Sequence, residues 1–267
     1  MTVYDAHIHY GDPELMEIIA ANSPLREKFP CYRTFQHWNM VDYPALFARN
    51  DIKKAVIIPF VFAEHDKTHE SLRVINFAKR TPGLFPYALL DEDNTEFVTK
   101  HKDIVVGVKE HIVLHESELT PQKKKIFAQV KEYGMTLLLH SWAAKRIEYV
   151  QAIQDNFPGM KIQIAHLGRD GTGEPKFIYH ILESLAHFDS VFFDTSTVRS
   201  REVLEKAVDI VGSDRILYGS DFPFFMDKDG EEDIIKEQIN HVLETNLSSD
   251  VKEKIMYKNF DNYYERG

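Results

Sequence analysis

The stretch Asp5-Ala6-His7-Ile8-His9 sets two imidazoles two residues apart behind a short apolar lead. In an extended strand, residues i and i+2 face the same side, so His7 and His9 are expected to enter one cavity. Two neutral imidazoles at one site suit zinc and similar ions. In a chain with 13 histidines the tripeptide is close to a chance event, and alone it carries little. His140 and His166 add weight, because each ends an apolar run ("TLLLH" and "IQIAH") where a polar side chain is expensive to bury. Either one alone reads equally as a hydrogen-bonded core histidine. Asp221, in "YGSD", adds a carboxylate able to ligate a metal and to take a proton from water. In "GVKEH", Lys109 and His111 share one side of a regular strand, and Glu110 points to the other.

These residues need a scaffold that gathers strand ends. Short apolar runs recur at 2–9, 54–60, 84–90, 103–111, 135–140, 161–166, 190–196 and 215–221. Their length and Val, Ile, Leu and Phe content predict strands covered on both faces. Segments of helical spacing separate most of them. Thr120 and Pro121 start one helix that Gly134 stops, and Ser200 and Gly212 bracket another. Eight strands alternating with helices over about 250 residues predict an α/β chain folded as a (β/α)8 barrel, whose catalytic groups sit at the C-terminal strand ends. A doubly wound sheet is disfavoured, because no glycine-rich phosphate turn follows the first strand. The glycine-rich "GRDGTGEP" at 168–175 lacks that spacing and reads as a loop. Residues 10–42 break the alternation and read as a loop inserted after strand 1, a lid or substrate loop, with a structural flap as the competing reading. The whole of 1–267 is expected to be one domain, and the acidic run 227–233 a solvated loop leading into a helix.

Composition narrows the functional class. A hydrophobic content of 43% with 28% charged residues is ordinary for a globular protein. A net charge of −10 argues against nucleic acid and against anionic membrane surfaces as partners. The single cysteine, Cys31, excludes an internal disulfide. No apolar stretch approaches a membrane span, and Asp5, His7 and His9 interrupt any signal-peptide core. The expected location is the cytoplasm.

Taken in order, "DAHIHYG", "GVKEH", "LLLHSW", "IAHLG", "YGSDFPF" and "KNFDNYYE" resemble the amidohydrolase superfamily, in particular its amidohydrolase-related branch. The motifs span almost the whole chain, and the His-x-His and "GSDFP" segments are the most specific. The resemblance implies a TIM barrel of the metal-dependent hydrolase type. It also implies His7, His9, His140 and Asp221 as ligands of one divalent metal. By the same resemblance, His166 faces substrate as acid, base or electrophile, and Asp221 handles the proton of the attacking water. Lys109 has two readings, a carboxylated bridge between two metals as in binuclear relatives, or a plain cation for a substrate carboxylate. A second metal stays open accordingly. Zinc is favoured by the imidazole set, and manganese fits a histidine-carboxylate site as well. Branch members are often homodimers, and no sequence feature reports an interface.

The implied chemistry is hydrolysis of a small carbonyl substrate, a lactone, cyclic ester or amide carrying a carboxylate, by metal-activated water. The alternative is metal-dependent non-oxidative decarboxylation of an aromatic or unsaturated carboxylic acid at the same site. His111, Arg169 and Trp142 are the candidate substrate contacts beside Lys109, with Arg199 a weaker anion-binding candidate. A TatD-like nuclease is disfavoured by "GVKEH" where those relatives carry a glutamate in a "GEIGLD"-like strand. A degenerate, non-catalytic barrel is disfavoured because every expected ligand position is filled. The pairs His65/His69 and His111/His115 lack the His-Glu-x-x-His arrangement and read as incidental.

Overall fold

The computed structural model describes residues 1–11, 42–60, 66–111, 118–140, 146–170, 173–224 and 234–264. The chain runs β1 (Val3–Tyr10), α1 (Tyr43–Arg49), β2 (Ile52–Pro59), α2 (Lys67–Ala78), β3 (Leu84–Leu89), α3 (Phe97–Lys100) and β4 (Gly107–His111). It continues with α4 (Pro121–Glu132), β5 (Thr136–His140), α5 (Arg146–Asn156), β6 (Ile162–Ile164), α6 (Pro175–Leu185) and β7 (Val191–Asp194). The last elements are α7 (Arg201–Val211), β8 (Ile216–Leu217), α8 (Ile234–Leu243), α9 (Ser249–Glu253) and α10 (Asn259–Tyr264).

All seven neighbouring strand pairs are parallel, in the order β1 to β8. Backbone bonds from Ala6 N to Tyr218 O, Asp221 N to His7 O and His9 N to Phe222 O, each 2.8 Å, join the last strand's exit to the first strand. The sheet therefore closes as the predicted (β/α)8 barrel.

The helices start where the sequence places caps. Thr120 accepts from Lys123 N at 3.1 Å with Pro121 in the first turn, and Ser200 accepts from Val203 N at 3.3 Å. Gly134 and Gly212, at φ +62° and +82°, take up the left-handed turns after α4 and α7. Among the described residues, no helix is long and apolar enough to cross a membrane.

Side chains alternate between two cores. Leu137 and Leu139 join the layer between sheet and helices, whereas Leu138 points inside with Val56, Ile58 and Tyr87. Phe260, Tyr263 and Tyr264 of α10 fill the same inner cluster, and Lys161 Nζ, just before β6, donates to Tyr263 O at 2.7 Å. The C-terminal helix thus plugs the end of the barrel where the strands begin.

Three details differ from a regular reading of the strands. The β1–β2 register slips between Asp5 and Ile8, a bulge that lets Ala6 pack in the inner core while His7, one residue on, also reaches the interior. The strand expected at 161–166 stops at Ile164, and His166 and Leu167 adopt left-handed backbone at φ +59° and +49°. Likewise β8 is two residues long, and Asp221 lies beyond it at φ +60°. The lid segment falls outside the described residues from 12 to 41, as does the acidic run 227–233.

Candidate metal-binding active site

The C-terminal ends of five strands deliver the predicted groups to one buried centre. His7 and His9 arrive from β1, Lys109 and His111 from β4, His140 from β5, His166 from the turn after β6, and Asp221 from the turn after β8. The Lys109 and Glu110 side chains are both buried but lie on opposite sides of β4, as strand alternation requires. Glu110 meets Lys123 Nζ at 2.7 Å and the Tyr149 hydroxyl at 2.9 Å, between the sheet and its helices.

One close grouping is His7, His9 and Asp221. His7 Nε2 lies 3.2 Å and His9 Nε2 3.3 Å from Asp221 Oδ1. Partners on the far side fix both imidazole tautomers. His7 Nδ1 meets Asp194 Oδ2 at 3.0 Å, and His9 Nδ1 meets Pro59 O at 3.3 Å. Both partners are acceptors, so each Nδ1 carries the hydrogen. Burial moreover pushes the His9 imidazole down to about 4, keeping it neutral near pH 7. Two Nε2 lone pairs and a carboxylate oxygen therefore face one another in a dry site. This set of two nitrogen ligands and one oxygen ligand fits a divalent transition metal. Burial disfavours the Asp221 charge, but His166, His7 and His9 outweigh it and hold the carboxyl well below its ordinary value.

His140 lies in the next link. Its Nδ1 is 3.1 Å from His166 Nε2, and its ring stacks on His111 with centroids 4.1 Å apart. Among the described residues, the groups close enough to share one ion are His7, His9 and Asp221, and His7, His166 and Asp194, so His140 stands beside the trio and not within it. Lys109 Nζ is 3.4 Å from His7 Nε2, and burial lowers its ammonium to about 8 against the pull of Asp221 and Asp194. Arg169 follows the His166 turn, half-buried, and Asp221 contributes to its electrostatic surroundings. Arg199 is 46% exposed and lies 3.8 Å from Glu237. Trp142, like His65 and His115, lies outside the described residues, and His69 is exposed on α2.

Sequence reasoning missed the residues beneath the histidines. Asp194, fully buried at the end of β7, accepts from Gln163 Nε2 at 2.7 Å, His166 N at 3.0 Å, Ser196 N at 3.1 Å and the Ser196 hydroxyl. Burial raises the cost of its charge, but His7, His166 and Ser196 overcome it and hold the carboxyl far below its ordinary value. This is a carboxylate–histidine pair of the kind that orients metal-ligating imidazoles. Ser196 Oγ also lies 2.7 Å from His166 Nδ1. The signal was present in "SVFFD", an apolar run ended by a polar residue, as at His140.

Asp5 fills the β1 bulge, accepting from His7 N at 2.9 Å and Ser220 N at 3.1 Å, and so ties the first strand to the last beside the site. At Gly219 a Cβ would stand 3.0 Å from His7 Cβ and 3.4 Å from Asp194 Cβ, so glycine lets the segment after β8 approach the centre.

The fold is similar to that of 2,6-dihydroxybenzoate decarboxylase from Rhizobium, with a TM-score of 0.68 at 15% identity over 99% of each chain. A probable 2-pyrone-4,6-dicarboxylic acid hydrolase from Acinetobacter baumannii gives 0.70 at 16% identity, again over 99% of each chain. An amidohydrolase from Burkholderia multivorans with bound zinc gives 0.73 at 12% identity and 99% coverage of each. At these identities the likeness concerns the fold. No curated protein sequence matches the chain. The sequence pattern of the amidohydrolases (Amidohydro_2), by contrast, matches residues 4–259, from β1 to the start of α10, and the chain belongs to that family.

Proposed function

We propose that this amidohydrolase is a divalent-metal-dependent hydrolase of a small carbonyl substrate, a lactone, cyclic ester or amide that carries a carboxylate. The observation that carries the reading is the convergence of two imidazole nitrogens, His7 Nε2 and His9 Nε2, and one carboxylate oxygen, Asp221 Oδ1, in a buried set. These residues would hold one divalent ion, with His140 beside them through His166 and zinc favoured over manganese by the imidazole content. When bound, the ion supplies Lewis acidity, bringing the pKa of water from 15.7 to about 7 and polarising a carbonyl.

The remaining chemistry belongs to the chain. Asp221, held ionised by its histidine neighbours, accepts the proton of the attacking water and returns it to the leaving group. His166, its Nδ1 hydrogen directed at the Ser196 carbonyl, turns an accepting Nε2 toward the cavity side where His140 lies and serves as a base toward substrate. Lys109 and Arg169 provide positive charge for a substrate carboxylate, and His111 walls the substrate. Asp194 keeps the His7 hydrogen on Nδ1.

The second reading uses the same residues for non-oxidative decarboxylation, with Asp221 passing a proton taken from water to the carbon that loses CO₂. It is supported by the neutral histidine wall of His111 and His140, suited to an unsaturated acid, and by the likeness to a 2,6-dihydroxybenzoate decarboxylase. Incubating the zinc- and manganese-loaded protein with lactones and aryl carboxylates in ¹⁸O-water separates the two. Hydrolysis places one ¹⁸O in the product acid, whereas CO₂ release with no label in the organic product overturns the hydrolase reading.

A further inference from the structure

A line of buried polar groups leaves the metal-binding centre and crosses the barrel to its opposite end. It starts at His7 Nδ1 and Asp194 Oδ2, 3.0 Å apart. From Asp194 it passes to Gln163 Nε2 at 2.7 Å, then from Gln163 Oε1 to the Tyr264 hydroxyl at 2.6 Å. Tyr264 lies 3.5 Å from the Tyr87 hydroxyl, which is hydrogen-bonded to Thr136. Every member is buried.

The chemistry of the partners fixes the direction of this line. Gln163 Nε2 faces the Asp194 carboxylate and, at 3.2 Å, the Ala6 carbonyl. Both only accept, so the amide nitrogen must occupy that side and Oε1 must turn toward the plug. A donor is needed there, and the Tyr264 hydroxyl supplies it. Without that hydroxyl a buried amide oxygen is left unpaired, at a cost comparable to a lost hydrogen bond. The amide then relaxes by tilting, and the donor it offers Asp194 is weakened. Asp194 in turn sets the tautomer and plane of the His7 ring.

We propose that Tyr264, on the C-terminal helix at the far end of the barrel, is a positioning residue for His7, acting through Gln163 and Asp194. This rests on the metal-dependent reading of the site. The plug therefore does more than fill the barrel floor, because one hydroxyl on it governs how firmly the first-strand histidine is presented to the ion.

The test compares Tyr264→Phe with Tyr263→Phe, which removes a neighbouring buried hydroxyl that does not contact Gln163. Zn²⁺ and Mn²⁺ affinities are read by chelator competition on purified, metal-stripped protein, with the thermal midpoint recorded for each. Tyr264→Phe is expected to weaken metal affinity about tenfold, at the lower end of what loss of an outer partner costs a metal site. Tyr263→Phe should leave the affinity unchanged. In a Gln163→Met background, adding Tyr264→Phe should weaken binding no further, since the path is already cut. The His7 Nδ1 proton, observed by NMR in the metal-free protein, should shift in Tyr264→Phe and stay in place in Tyr263→Phe. That resonance reads the proposal even where a variant's stability drops.

Equal metal affinities and an unmoved His7 proton in Tyr264→Phe overturn the proposal while leaving the metal site standing. So does an equal loss of affinity in Tyr263→Phe. Failure of the unaltered protein to bind either ion overturns the proposal and the metal-dependent reading together.

Discussion

Asp221 and Asp194 lie on two sides of His7 and have different tasks. Asp221 faces the Nε2 edge with His9 and is the candidate proton carrier, whereas Asp194 holds the Nδ1 edge and sits away from substrate. Asp221→Asn should lower kcat by about 10²–10⁴-fold, the range for loss of a general acid–base, in steady-state assays of protein reloaded with metal. Asp194→Asn should act first on the metal, weakening its affinity by about 10–100-fold as chelator competition would show. Arg169→Met should chiefly raise KM, by about tenfold or more, because a charged hydrogen bond to a carboxylate contributes roughly 1.5–3 kcal/mol. Equal losses in kcat and kcat/KM for that variant would place Arg169 in the chemical step instead.

At the level of elements, β4 shows how the outside of the barrel serves its inside. Glu110 lies between Lys109 and His111 but faces outward, where Lys123 of α4 and Tyr149 of α5 hold it. Burial raises the Glu110 carboxyl, and Lys123 and Tyr149 oppose the rise. Cutting a buried pair on one side leaves an uncompensated charge, so Lys123→Met should destabilise the protein by about 3–5 kcal/mol in urea unfolding. Glu110→Leu combined with Lys123→Met should recover most of that loss. Equal stability of Lys123→Met and the parent would show the pair to be energetically idle. The strands themselves were legible because each buried run is short, apolar and bounded by turn residues. The β1 bulge and the turn at His166–Leu167 were not, since nothing in "DAHIH" marks an extra residue and leucine seldom takes a left-handed backbone. That local strain is imposed by tertiary contacts, chiefly Asp5 with Ser220 and Asp194 with His166 N. Asp194 itself was legible in principle, being the same kind of run-ending polar residue as His140 and Asp221.

At the scale of the whole molecule, the concentration of buried neutral histidines sets a dependence of stability on pH. Burial pushes His9 down to about 4 and His166 to about 3, and His111 and His140 well below their ordinary value of 6.5. Unfolded, each takes up a proton near pH 6.5, whereas folded it stays neutral until more acid conditions. The unfolded chain therefore binds more protons, and the stability these residues contribute above pH 6.5 is lost as pH falls toward about 4. Asp5, raised by burial to about 7, and Glu110, also raised, work in the opposite sense, but they are two groups against four. The thermal midpoint of metal-stripped protein should be lower at pH 5 than at pH 7.5, and a flat or rising profile toward acid would contradict the burial of these histidines in neutral form.

The barrel and the ligand-bearing strand ends were readable because a parallel barrel brings all its C-terminal strand ends to one face, whatever their order in the chain. The path from His7 to Tyr264 was not, because it joins residues far apart in sequence through side chains whose orientation only packing determines.

The chemistry proposed for this site depends on a cation at His7, His9 and Asp221. Metal analysis of the purified protein, repeated on His7→Ala, tests it most directly. The parent should carry about one divalent ion per chain, lose turnover when a chelator removes it and regain turnover with zinc or manganese, while His7→Ala folds but loses both ion and activity. A parent that turns over substrate with no ion bound, or a His7→Ala variant with unchanged activity, would contradict it.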